Sequence, residues 1–198
     1  MNNYSIRKEK IALRNSILEK RDTQGIAQIQ EKSQSIKDRL FELKEFKNAK
    51  NIMFFVSFRS EVMTDFMIKE ALNIGKKIIV PRAEKHTKAL DLFYLNDFYT
   101  DLTFGAYGIL EPKPDQCKHA KKSDVDIIIV PGSVFSEKGD RLGYGAGYYD
   151  RFFKNIPSVI PKIALAFELQ FVDNVPVGDD DVSMDIIVTE KRTIICKK

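Results

Sequence analysis

Short, nearly unbroken apolar runs separated by helical stretches constrain this chain more than any other feature. Residues 51–56 (NIMFFV), 77–80 (KIIV) and 126–130 (DIIIV) carry few polar positions. A strand without a polar face has to be covered on both sides, as in a parallel sheet flanked by helices. Residues 90–95, 162–167 and 185–188 read as further strands, and 193–196 as an edge strand. Pro81 is expected to stop the second run and Pro131-Gly132 to end the 126–130 strand, while 97–108 reads as irregular. Thr64 can cap a helix carrying Phe66, Met67, Ala71 and Ile74, which Gly75 ends, and a short helix is expected around 148–154. The alternation predicts an α/β fold with three layers around a mainly parallel sheet. Ligands of such sheets bind beyond the carboxyl ends of the strands, which directs attention to the loops after Val56, Val80 and Val130.

Two helical patterns precede this core. From Tyr4 to Arg21, Ile6, Leu13 and Ile17 share a stripe, with Lys10 among them and Arg14 at its edge. Ile29, Ile36, Leu40 and Leu43 mark a second helix over 24–45. The expected organisation is one domain over 1–198, with a helical arm over 1–48 packed on an α/β core over 49–198. A hydrophobic content of 43% with 30% charged residues excludes wholesale disorder. No apolar run approaches the ~18 residues that cross a bilayer. The polar, basic start lacks a secretory pattern, so a cytoplasmic location is expected.

Cys117 and Cys196 lie far apart, and His86 and His119 have no partners at metal-ligand spacing, which argues against a disulfide scaffold or a Cys/His zinc site. The net charge of +4 suits an anionic small ligand but is too scattered to argue for nucleic acid. The lysines over 32–50 alternate with Glu and Asp, the pattern of a solvated helix face.

The densest chemical signal is GDRLGYGAGYYDR, residues 139–151. Gly143, Gly145 and Gly147 free the backbone for close approach to a ligand, and the run enters a helix, whose amino end favours phosphate. Arg141 adds a planar, permanently charged fork. Asp150 would repel phosphate unless a cation lay between them, and magnesium resolves that conflict. The bland alternative is a glycine turn with core tyrosines at 148 and 149 and an Asp that merely favours the helix dipole. The chain has no GxxxxGK[ST], and the glycines do not follow the GxGxxG pattern of dinucleotide folds.

Lys10 and Arg14 place two cations on one side of the first helix, either as surface residues or as a clamp for a triphosphate. Asp185 is either an ordinary strand-end residue or a second carboxylate for magnesium, and pattern alone does not choose. Glu61, in the loop after the first strand, is a solvated glutamate or a substrate contact.

PGSVF from Pro131 followed by the glycine–tyrosine block resembles the signature of the 5-formyltetrahydrofolate cyclo-ligase family. The likeness extends over nearly the whole chain, through the Lys10–Arg14 pair, SFRSEVMT from Ser57, and Asp185. It implies the fold seen in sugar-phosphate isomerases and CoA-transferases. It further implies that Lys10, Arg14, Arg141, Leu142 and the backbone through Tyr149 hold ATP, with Arg141 and Lys10 stabilising charge during the reaction. Asp150 and Asp185 would bind Mg²⁺. Val56 and Glu61 would contact the folate, and Tyr144, Gly145, Ala146, Gly147 and Tyr148 would be shared between the two substrates.

The implied reaction is ATP-dependent conversion of 5-formyltetrahydrofolate to 5,10-methenyltetrahydrofolate. Phosphoryl transfer of this kind asks for positioning and charge neutralisation more than a covalent nucleophile. The resemblance implies small-molecule partners, no nucleic acid or membrane, and a monomer. Two departures stand out, Met63 where the family usually has Asp and Ala146 where a further glycine is usual. The alternatives are a sugar-phosphate or CoA-ester enzyme of the same fold class, and a basic nucleotide- or RNA-binding module using Arg7, Lys8, Lys10, Arg14, Lys20 and Arg21 of the first helix.

Overall fold

A computed structural model describes residues 3–105 and 108–196. Among these, the central sheet has seven strands: β1 (Asn51–Met53), β2 (Lys77–Ala83), β3 (Leu90–Leu95), β6 (Ile127–Val130), β9 (Lys162–Leu165), β10 (Ile186–Val188) and β11 (Thr193–Ile195). Their order is β11-β10-β9-β6-β1-β2-β3. The five inner strands run parallel, while the edge strands β3 and β11 are antiparallel to their neighbours. Two small hairpins, β4 (Leu102–Phe104) with β5 (Leu110–Pro112) and β7 (Val134–Phe135) with β8 (Arg141–Leu142), extend from the sheet. The first strand of the β4–β5 hairpin falls within the stretch expected to be irregular, whose residues 106–107 lie outside the described residues.

Side chains alternate across the sheet and sort the core into two layers. Ile52, Ile78, Ile127, Ile129, Ile163 and Ile186 join one cluster, whereas Met53, Ile79, Ile128, Ala164 and Ile187 join the other. Helices α2 (Ile26–Glu42), α3 (Lys44–Asn48) and α4 (Asp65–Asn73) cover the first face through Ile36, Leu40, Phe46, Met67 and Ile68. Helix α5 (Tyr148–Phe153) covers the second with Phe152 and Phe153. The expected arm therefore divides. α2 and α3 belong to the core, and α1 (Asn3–Asp22) lies over a separate small cluster in which Ile17 meets Val134, Leu142 and Val175.

Three local expectations are corrected. Pairing in β1 ends at Met53, although burial continues to Val56. β2 runs through Pro81, because position 81 faces the side on which β1 has already ended. There a missing N–H costs no ladder bond. Thr64 precedes α4 but makes no side-chain cap. Its hydroxyl donates to the Phe55 carbonyl at 2.8 Å and accepts the Ser57 N–H at 3.0 Å, pinning the strand exit.

Candidate active site

The carboxyl ends of β1, β2 and β6 open into a cavity of about 650 Å³. Val56, Glu61, Pro81, Pro131, Arg141 and Gly143 line it, with Tyr144 and the stretch from Ala146 to Asp150. The three loops singled out by strand polarity thus meet in one place.

Arg141 sits in β8 with its side chain only 2% exposed. Nη2 donates to Asp150 Oδ1 at 2.8 Å and Nη1 to the Pro131 carbonyl at 3.3 Å. Its guanidinium carbon lies 5.9 Å from the ring centroids of both Tyr149 and Phe153. Nε is buried with no hydrogen-bond partner, and it is the only such side-chain atom among the described residues. A buried charged donor left unmade is costly, which sets Arg141 apart from the other buried cations.

The glycine loop is shaped around cations. Gly145 and Gly147 adopt φ of 98° and 69°, in the left-handed region open to glycine. A side chain on Gly143 would begin 2.9 Å from Arg141 Nη1. Arg14 Nε donates to the Gly143 carbonyl at 2.7 Å, and burial lowers its pKa against the opposing pull of Asp181. Ala146 has no positive φ, so alanine sits there without strain. Its carbonyl accepts from Arg151. The loop leads into α5, a helix of six residues with Asp150 in its first turn.

Lys10 is ion-paired with Asp181, and Lys154 with Asp180, so the acidic turn at 179–181 already answers two of the cations near the loop. Leu142 turns inward to the Ile17 cluster, and both Ser133 N–H and Oγ donate to its carbonyl. Met63 packs against the main core and its N–H donates to Ser33 Oγ at 3.0 Å, so that departure from the family pattern falls outside the cavity lining.

Glu61 is 7% exposed, and burial raises its pKa against the favourable pull of Tyr144, Arg21 and the Phe58 N–H. Phe58 N–H donates to Glu61 Oε2 at 2.8 Å. The loop that presents it contains Arg59 at a φ of 53°, a rare conformation for a side-chain-bearing residue that is often found beside binding sites. Burial, and the nearby Glu61 charge, push both the Tyr144 and Tyr149 hydroxyls well above their ordinary value.

Asp185 does not line the cavity. It precedes β10 at the amino edge of the sheet, accepts the Lys162 N–H at 2.8 Å and pairs with Lys162 Nζ at 2.9 Å. Asp126, which likewise precedes an apolar strand, does the same for β1 by accepting the Lys50 and Asn51 N–H groups, each at 2.8 Å. Both carboxylates tie off the first donors of a neighbouring parallel strand. Sequence reasoning passed over Arg21 and Asp22, which line the cavity. The available signal was spacing, since Lys10, Arg14, Ile17 and Arg21 follow steps of four, three and four along one helix face.

The family model for 5-formyltetrahydrofolate cyclo-ligases matches residues 6–190. The chain belongs to the 5-formyltetrahydrofolate cyclo-ligase family. Membership makes it a ligase of folate interconversion. A probable 5-formyltetrahydrofolate cyclo-ligase of Caenorhabditis elegans is 34% identical, over 84% of this chain and 85% of the relative. The Haemophilus influenzae cyclo-ligase is 36% identical over 78% and 84%. A solved 5,10-methenyltetrahydrofolate synthetase from Aquifex aeolicus superposes with a TM-score of 0.84 at 31% identity, covering 96% of this chain and 93% of that one. The Mycoplasma pneumoniae synthetase, 22% identical, shares the fold with a TM-score of 0.72 over 91% and 98%.

Proposed function

We propose that this ligase cyclises 5-formyltetrahydrofolate to 5,10-methenyltetrahydrofolate at the expense of ATP, in the cavity at the carboxyl edge of the sheet. The observation that carries the ATP reading is Arg141, a guanidinium in the cavity wall against a glycine loop that a second arginine also grips. A triphosphate offers the oxygens that such planar cations bind.

Lys10, Arg14, Arg141 and the loop backbone through Tyr149 hold the phosphates. Among the described residues no group of three or more side chains forms a metal site. That suits magnesium arriving with the nucleotide, since Mg²⁺ is commonly held by one or two carboxylates together with substrate phosphates. On this reading Asp150, which lines the cavity, would be the carboxylate that holds it, and the bound ion would neutralise phosphate charge. Asp185 has the strand-capping role described above, so we assign the metal to Asp150 alone.

In the reaction the formyl oxygen attacks the γ-phosphorus and ADP departs. N10 then adds to the activated carbon, loses its proton, and phosphate leaves. Arg141 and Lys10 stabilise charge on the transferring phosphoryl group. Val56 and Glu61 bind the folate. The partners are small molecules. The basic residues of α1 do not form one face, since Arg7, Lys8 and Lys20 point to solvent while Arg14 and Arg21 turn inward, which argues against nucleic acid. No described helix is long and apolar enough to cross a membrane, and we read the protein as a cytoplasmic monomer.

The test is near-ultraviolet absorbance with 5-formyltetrahydrofolate, with and without MgATP. Product formation creates a conjugated amidinium between two nitrogens, so a new long-wavelength band should grow only when ATP and magnesium are both present. A flat trace would refute the reading.

A further inference from the structure

Arg21 lies near the end of α1 and is 2% exposed, yet the reaction above gives it no task. A guanidinium at that depth has five donors to place. Nε donates to Ser60 Oγ at 3.0 Å and Nη1 to the Tyr144 hydroxyl at 2.9 Å. Ser60 passes its own hydrogen to Asp22. The end of α1 therefore grips both walls of the folate side, the 58–61 loop and the glycine loop.

The direction of these bonds matters. A phenol has one hydrogen, and Tyr144 accepts from Arg21, so that hydrogen is left to point into the cavity that Tyr144 and Glu61 both line. Arg21 thus holds the surroundings of a buried carboxylate by two bonds, one to Ser60, the residue before Glu61, and one to Tyr144 across the cavity. Phe58 N–H takes up one Glu61 oxygen and leaves the carboxylate's other lone pairs for the cavity.

We infer that Arg21 is a positioning residue for the bicyclic ring of the substrate: acting through Tyr144, it fixes Glu61 as an oriented anion. An oriented carboxylate matches the adjacent ring N–H and amino donors of a 2-amino-4-oxopyrimidine. The inference rests on the reading of Glu61 as a folate contact.

Equilibrium binding of 5-formyltetrahydrofolate, and separately of ATP, to the full chain tests it. Arg21→Met keeps the stem and removes the donors. Tyr144→Phe breaks the same link on a half-exposed ring without touching the loop backbone, and serves alone if Arg21→Met does not fold. Each should weaken folate binding about tenfold, the size of one charge-assisted hydrogen bond, and leave ATP affinity within about twofold. The double variant should be no weaker than the worse single one.

A pH profile separates positioning from mere support. Glu61 is faced by Arg21 and Asp22 from α1, Arg59 in its own loop, Tyr144, and Tyr149 from α5, with Arg141 and Asp150 lining the same cavity. Losing the Arg21 cation makes the buried anion harder to form. The acid limb of kcat/KM for folate should therefore move to higher pH in Arg21→Met, and a purely structural role would leave it in place. Wild-type protein that binds no folate overturns the functional reading itself. Wild-type binding with Tyr144→Phe equally tight, or losses that multiply in the double variant, overturns this inference alone.

Discussion

The molecule holds two buried cation–carboxylate pairs of nearly equal geometry at opposite edges of its sheet. Arg141 and Asp150 approach to 2.8 Å with side chains 2% and 19% exposed, while Lys162 and Asp185 approach to 2.9 Å at 6% and 23%. Distance and burial do not distinguish them. Completion does. The lysine pair is closed, for Asp185 also takes the Lys162 N–H and Lys162 Nζ reaches the Ile160 carbonyl. The arginine pair is open, with an unmade donor beside a cavity. A closed pair holds a strand edge in register, and on the proposed reading the open one is where a ligand is met.

The largest expected effect breaks the open pair. Arg141→Ala should lower turnover by about 10²–10³, the usual cost of a positioned electrostatic donor, measured by growth of the product band. Unchanged turnover would remove the distinction. Breaking the closed pair should act on stability instead. Lys162→Ala is expected to cost about 3 kcal/mol in denaturant unfolding, the low end for a stranded buried charge because Asp185 keeps some solvent access. Turnover per folded molecule should stay within about twofold, and a collapse of turnover would place Lys162 in the site.

The two carboxylates sharpen the comparison further. Asp150→Asn should raise the magnesium concentration for half-maximal rate about tenfold, and Asp185→Asn should leave it unchanged. A matching shift in both would restore Asp185 as a metal ligand. The smallest effect concerns Glu61, whose pKa burial raises against the pull of Tyr144 and Arg21. The folded state then binds the Glu61 proton more tightly than the unfolded one, so stability falls as pH rises past the ordinary glutamate value. Glu61→Gln removes that loss. Its melting temperature should exceed that of wild type by a margin that grows with pH, even as folate binding weakens. A margin that shrinks with pH would contradict the sign.

The sequence carried the sheet because period and burial are written locally: an apolar strand covered on both faces needs no distant information to recognise. Pro81 misled because a proline ends a strand only where its absent N–H was needed, and that depends on where the neighbouring strand stops. Asp185 has a metal role only through the family resemblance, since its pattern alone does not choose between a ligand and a strand-end residue. An aspartate before an apolar strand reads the same whether it faces a cavity or ties off the next strand, and Asp126 in the same setting attracted no attention. The cavity residues Arg141, Glu61 and Asp150 were legible as chemistry out of place. Arg21 was legible only as spacing, because its role comes from Tyr144, more than 120 residues later.

The pairing of Lys10 with Asp181 carries a consequence for how the nucleotide would arrive. A cation that already has a carboxylate partner holds few condensed ions to release, and its binding to phosphate is an exchange of one anion for another. On the proposed reading, ATP affinity should then depend on ionic strength less steeply than the number of basic groups around the loop suggests. The acidic turn would act as a placeholder, holding Lys10 and Lys154 in position until phosphate takes over.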